Sequence, residues 1–159
     1  EDGIKVNRYN VFLTNCYINL LLDNEKYTEA LKVIESTIKV ESNNKLLYFL
    51  YGYLQQNKAN NSTAELAYNK ALGIDENYFD ALYQLGLVYI SSANESLKSG
   101  SGQNTPKFSS YINRAEIPLL QAHEINQNDK ATVQLLIDIY TRKQRLDKIQ
   151  ELKSKLEEF

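Results

Sequence analysis

Apolar positions recur along the chain at three- and four-residue spacing, in blocks separated by polar turns, so the pattern is helical throughout. The clearest pair of blocks runs from Ala64 to Tyr89. Ala64, Tyr68, Ala71 and Leu72 form one stripe, the turn Asp75-Glu76-Asn77 follows, and Leu82, Leu85, Gly86 and Tyr89 form the next. Ala and Gly among large apolar residues let backbones approach, which predicts two amphipathic helices in close contact across the turn. Further blocks stand at Leu13, Tyr17 and Leu20, and at Val133, Leu136, Ile137 and Tyr140 followed by Leu146, Ile149, Leu152 and Leu156. Cys16 falls inside the first of these and is expected to be a small buried hydrophobe.

The blocks repeat with a period of 34 residues: Gly52 and Gly86, Tyr48 and Leu82, Tyr17 and Tyr51, and Ala30 and Ala64 are all one period apart. A helix pair repeated at this interval predicts stacked hairpins in which each pair buries the apolar face of its neighbour. The period is interrupted once. After Tyr89 the helical spacing continues through Ile90, Ala93 and Leu97, stops at the breaker Ser99-Gly100-Ser101-Gly102, and restarts at Thr105-Pro106, an N-cap followed by Pro at the first helical position. Phe108, Tyr111, Ile112, Ala115, Leu119 and Ala122 then carry the stripe, and the register resumes at Ala115 after roughly 17 extra residues, predicting an elongated hairpin. Pro118 lacks an amide donor and crowds the carbonyl of Arg114, so a bend near Arg114 to Ile117 is expected; the favoured reading is that it folds the long helix back onto the stack, the alternative that it aims the hairpin tip at a partner as a second contact.

Leu85-Gly86-Leu87-Val88-Tyr89 after Leu82, with Ala64, Tyr68 and Ala71-Leu72 before it, resemble the tetratricopeptide signature. The resemblance covers nearly the whole chain. It implies an all-α fold, a right-handed α-α superhelix of about four helix pairs forming one solenoid over residues 1–159. The implied repeats are 11–44, 45–78, 79–129 with the inserted hairpin near 92–110, and 130–159, the last ending in a charged capping helix. The first repeat is degenerate, with Ile18 where a small residue is usual. Residues 1–10 are either the tail of a preceding repeat, since Ile4-Lys5-Val6 matches Ile38-Lys39-Val40, or the start of the first helix. With Glu1 first and no Met in the chain, at least one more helix pair is expected upstream.

Charge and chemistry narrow the function. The net charge is -2 and Lys and Arg are scattered, so no basic stripe exists to neutralise a phosphate backbone, and nucleic acid is not an expected partner. No apolar run is long enough to insert into a bilayer. One Cys and one His cannot supply an ordinary zinc site or an internal disulfide. His123 stands where other repeats have Ile38 or Leu72, which favours a half-buried packing role over a general base. Gly100-Ser101-Gly102 lacks the residues of a phosphate-cradling loop. Asp75, Glu76 and Asp129 fall at turns or helix starts, where carboxylates meet the positive end of a helix dipole. No catalytic residue, metal or cofactor is therefore expected, and the chain reads as non-enzymatic.

The resemblance implies instead a concave groove lined by the first helix of each pair. Carried onto this chain, its lining is Phe12, Asn15, Asn19 and Leu22, then Leu46, Phe49, Tyr53 and Gln56, then Asp80, Tyr83, Leu87 and Ile90, then Gln134 and Asp138. The middle is apolar and aromatic, and Phe49, Tyr53, Tyr83 and Leu87 form the candidate exposed patch. Some family members clamp a peptide carboxylate with Lys, Asn and Arg; here only Asn19 matches, and Asn15, Leu50, Asp80 and Gln84 occupy the other clamp positions, so that activity is not inherited. The expected function is a scaffold that binds a protein or peptide segment in the groove. The alternatives are a self-assembly module, associating through its N-terminal edge, and a non-catalytic arm of an enzyme whose catalytic domain lies elsewhere. The overlong, Pro-bearing hairpin resembles bacterial envelope-associated members, which implies the periplasm or cell envelope, with the cytoplasm as the alternative.

Overall fold

The computed structural model describes residues 2–98 and 105–157, with side chains of the first helix considered from Phe12 onward. Among them are eight helices and no strand: α1 (Asp2–Asp23), α2 (Tyr27–Ile38), α3 (Lys45–Asn57), α4 (Asn61–Ile74), α5 (Phe79–Lys98), α6 (Pro106–Ile125), α7 (Lys130–Arg142) and α8 (Leu146–Glu157). Each helix packs on the next in the chain, and α3 also touches α5, the first helix of the following pair. Residues 2–7 belong to α1 itself, which is one unbroken helix.

The turns inside the pairs repeat one device. Glu25, Ala59 and Gln144 adopt left-handed backbone, with φ of 58°, 59° and 56°. The following amides of Lys26, Asn60 and Arg145 donate back to the carbonyls of Leu21, Gln55 and Tyr140, at 2.8, 3.0 and 2.9 Å. This is the Schellman closure, which satisfies carbonyls that a helix end leaves open. The turns between pairs use side chains instead. Asn44 caps α3 by accepting from the amides of Leu46 and Leu47, and Asp129 caps α7 by accepting from the Thr132 amide at 2.8 Å. Asp75 accepts from the Asn77 amide at 3.1 Å and pairs with Lys45, whose ammonium holds its carboxyl below the usual 3.8.

The two glycines one period apart mark the closest helix crossings. A Cβ on Gly52 would stand 2.8 Å from the Tyr68 ring, and one on Gly86 would stand 2.5 Å from Leu119 Cγ. Only a missing side chain lets α3 meet α4, and α5 meet α6, at that distance. Around these crossings lies one core cluster from α4 to α8, with Tyr68, Leu85, Val88, Ile112, Leu119, Leu136 and Ile139 at its centre. A second, from α1 to α3, contains Ile18, Leu21, Ile34, Leu47 and Leu54.

The elongated hairpin is formed by the extra turns of α5 and α6; its closing breaker, Ser99 to Gly102, lies outside the described residues. Thr105 caps α6 through Phe108 N, with Pro106 in the first turn. The extension zips on Ala93, Phe108 and Ile112, and its flanks are tied down: Asn61 of α4 donates to Ser91 and Glu95, and Arg142 of α7 donates to Asn94 at 2.9 Å. The helix α6 runs through Pro118 without interruption, its ring buried.

Cys16 departs from expectation. It is exposed, and with it Leu13, Tyr17 and Leu20, because this face of α1 has no described helix against it. Spacing showed that the stripe is apolar but not whether anything covers it. His123 is buried in α6, deeper than the half-buried place the sequence suggested.

Candidate functional site

The contact between α3 and α5 brings the middle of the predicted groove together. Along α3, Leu46 is 40% exposed and Tyr53, seven residues or about two turns further on the same helix face, 41%. Tyr83 and Leu87, four apart on α5, are half-buried. These four side chains are partly open to solvent on neighbouring helices.

Phe49 lies between them in sequence register but not in exposure. Its ring packs on Tyr68 at 5.9 Å and on Tyr78 at 5.4 Å, both tilted, so it is half-buried and braces the floor rather than standing free. Tyr83 stacks on Phe79 at 6.3 Å between centroids. Below, the Tyr68 hydroxyl donates to Gln56 Oε1 at 2.7 Å, which fixes the groove-position Gln56 from beneath. Burial, then the charge of Asp129, pushes the Tyr83 phenol above its usual 10.0; burial, then Asp80 and Asp75, does the same to Tyr78. Carboxylates thus border the aromatic floor near α5 and the start of α7.

The outer positions are more varied. On α1, Phe12 is 64% exposed, Asn19 is exposed, and Asn15 and Leu22 are half-buried. On α7, Gln134 is exposed, while Asp138 is engaged by Arg142 Nε at 2.9 Å. Asp80 is exposed at the start of α5. Ile90 corrects its assignment: at 8% exposure it belongs to the core, because α5 continues past Tyr89 and α6 covers it.

Five clefts of ≈ 350 to ≈ 580 Å³ indent the described surface, and none of these five is lined by a predicted groove residue. Sequence reasoning also missed the polar tie across α4, α5 and α6. Arg114 pairs with Glu65 and donates to the Tyr89 hydroxyl at 3.1 Å, its guanidinium 4.3 Å from the Tyr89 ring centre. The available signal was register, since Glu65 follows and Arg114 precedes the small residues Ala64 and Ala115 one period plus the insertion apart. Lys143 pairs similarly with Glu116, joining α6 to the turn after α7. Among the described residues no helix is long and apolar enough to cross a membrane, and no three His, Cys, Asp or Glu gather into a metal-binding group.

A stack of helix pairs with small residues at the crossings and an open face on the first helices defines an α solenoid of tetratricopeptide type. Solved structures share that fold. MamA superposes with a TM-score of 0.74 at 18% identity over 96% of this chain and 74% of its own. The first tetratricopeptide domain of Spaghetti (RPAP3), bound to the HSP90 peptide SRMEEVD, gives 0.64 at 15% over 82% and 90%. The human IFIT1 dimer with m7Gppp-AAAA gives 0.76 at 21% identity, over 96% of this chain and 34% of that one. Neither a protein-family model nor a curated protein matches the sequence.

Proposed function

We propose that the chain is a protein-interaction scaffold that takes an extended or helical segment of another protein across α3 and α5. The observation that carries this reading is the row Leu46, Tyr53, Tyr83 and Leu87, partly exposed on two helices in direct contact. Such a row offers large apolar area with few rotors to freeze, the usual composition of a binding hot spot. The fold supports the same use, since a solved neighbour holds a peptide. Asp129 near Tyr83 and Asp80 near Tyr78 favour a segment that carries Lys or Arg next to its apolar anchor.

The clamp chemistry of chaperone-tail binders is not part of this proposal, because Asn15, Leu50, Asp80 and Gln84 hold no ammonium or guanidinium toward a carboxylate. Phe49 serves the site by holding the floor, so its truncation would test folding as much as binding.

The experiment is selection of binders from a random peptide display library on the intact chain, followed by affinity measurement on variants. Tyr53→Ala and Leu87→Ala are each expected to weaken a selected peptide about tenfold, ~1.4 kcal/mol, with helical circular dichroism unchanged. Peptides whose affinity is indifferent to both substitutions would sink the groove reading.

A further inference from the structure

The face of α3 turned away from the groove row carries a second surface. Tyr48 stands two residues from Leu46, about 200° round the helix, and Tyr51 is offset in the same way from Tyr53. The two rings floor a cleft of ≈ 480 Å³ walled by Ile38 of α2 and by Leu66 and Ala67 of α4. A further cleft of ≈ 580 Å³ shares Tyr48, Leu66 and Lys70 with it and continues past Gly73 and Ile74 to Ser42. Together they make one trough along α4, from Thr63 to Ile74. A Cβ on Gly73 would meet nothing within 4 Å, so no neighbour in the fold requires Gly there, and the missing side chain keeps that end of the trough open. Floor and walls come from successive pairs already stacked on one another, so a helix pair added at either end of the stack leaves the trough uncovered.

The repeat supplies an internal comparison. One period on, with the insertion counted, the same positions are Leu72, Leu82, Leu85, Ile117 and Pro118, which line a cleft of ≈ 350 Å³. Ile117 is 63% exposed where Leu66 is 69%, so the apolar frame is what stacking leaves between neighbouring pairs. The charges differ. The trough carries Lys39 and Lys70 on opposite walls against one carboxylate, Glu35. One period on, the lysine positions hold Gly73 and Gln121, and the guanidinium of the later cleft, Arg114, is taken by Glu65. Among the described residues neither Lys39 nor Lys70 pairs with a carboxylate. In a chain of net charge -2, two unmatched ammoniums across an aromatic floor are complementary to carboxylates beside an apolar anchor.

We propose that this trough docks an acidic segment of a partner protein, with an apolar side chain resting on Tyr48 and Tyr51 beside Leu66 and carboxylates meeting Lys39 and Lys70. A concave floor suits a segment that can enter it. A lipid surface would bring headgroups to the lysines and leave the aromatic floor unfilled. The site is separate from the row on α3 and α5, and it selects the opposite charge.

A display library of peptides rich in Asp and Glu around single Leu, Phe or Tyr anchors, sorted on the intact chain, is the probe. The expected peptides bind less tightly as salt rises. Lys39→Gln combined with Lys70→Gln weakens them at least about tenfold, and Leu66→Ala does so about tenfold. Ile117→Ala, one period on, leaves affinity unchanged, and so do Tyr53→Ala and Leu87→Ala, which separates this site from the groove row. The side chains of Lys39, Lys70, Leu66 and Ile117 are all exposed, so helical circular dichroism is retained in their variants. No enriched peptide, peptides indifferent to the lysine pair or to Leu66, or lysine-dependent binding of phosphatidylserine vesicles in place of peptide overturns the proposal. Should Leu66→Ala lose helicity, amide shifts in the unaltered labelled chain decide: centred on residues 63–74 they support docking in the trough, and elsewhere they overturn it.

Discussion

At the scale of single residues, the account rests on which atoms leave room for which others. Gly86 and Gly73 make a matched pair. Both are helical, but a Cβ on Gly86 would collide with the Leu119 branch point, whereas one on Gly73 meets nothing within 4 Å. Gly86→Ala is expected to destabilise by about 1–3 kcal/mol through overpacking, even against the helix-propensity gain of up to ~1 kcal/mol. Gly73→Ala should instead be neutral or stabilising by some tenths of a kcal/mol, since it lies in the last turn of α4. Denaturant melts of the two variants check the opposite signs. The sequence made Gly52 and Gly86 legible as close-approach positions because they recur at the period; it could not tell which residue occupies the space. Cys16 shows the converse: spacing assigned it correctly to an apolar face, but exposure depends on a neighbour that spacing does not contain.

At the scale of elements, some helix starts were written in the chain, while the starts of α2 and α4, which carry no side-chain cap bond, and several helix ends were not. Thr105-Pro106 announces α6 by known capping chemistry, and Asn44 and Asp129 cap α3 and α7 in the same way. The ends at Glu25, Ala59 and Gln144 escape sequence reading because the left-handed position usually signals itself by Gly, and none is present there. Each of these residues carries the left-handed penalty of a Cβ. Ala59→Gly is expected to stabilise by about 1 kcal/mol, and Glu25→Gly and Gln144→Gly by similar amounts, additively because the turns are in separate repeats. Thermal denaturation of single and triple variants measures it. The overlong hairpin was legible from the stripe running past Tyr89, but its anchoring by Asn61 and Arg142 was not, since those contacts link residues tens of positions apart.

At the scale of the whole molecule, five tyrosines set an alkaline limit. Burial raises the phenols of Tyr68, Tyr78, Tyr83 and Tyr89 above 10.0 and that of Tyr140 to about 12. A raised phenol means that the fold prefers the neutral form, so its contribution is complete below pH 10 and is lost as pH rises through the folded value. The melting temperature is expected to fall above pH 10, less steeply in Tyr68→Phe; a slope unchanged by that substitution would contradict the assignment. The fold was legible as a whole because a 34-residue period samples every helix, while the groove was legible only as a register: it put Phe49 and Ile90 among the lining, and tertiary packing turned one into floor and the other into core. Which surface this solenoid uses is read most directly from amide chemical-shift changes in the labelled chain on adding a library-selected peptide. Binding across the groove predicts the largest shifts around Leu46, Tyr53, Tyr83 and Leu87 on α3 and α5. Shifts confined to α2, α4, α6 and α8 would contradict it.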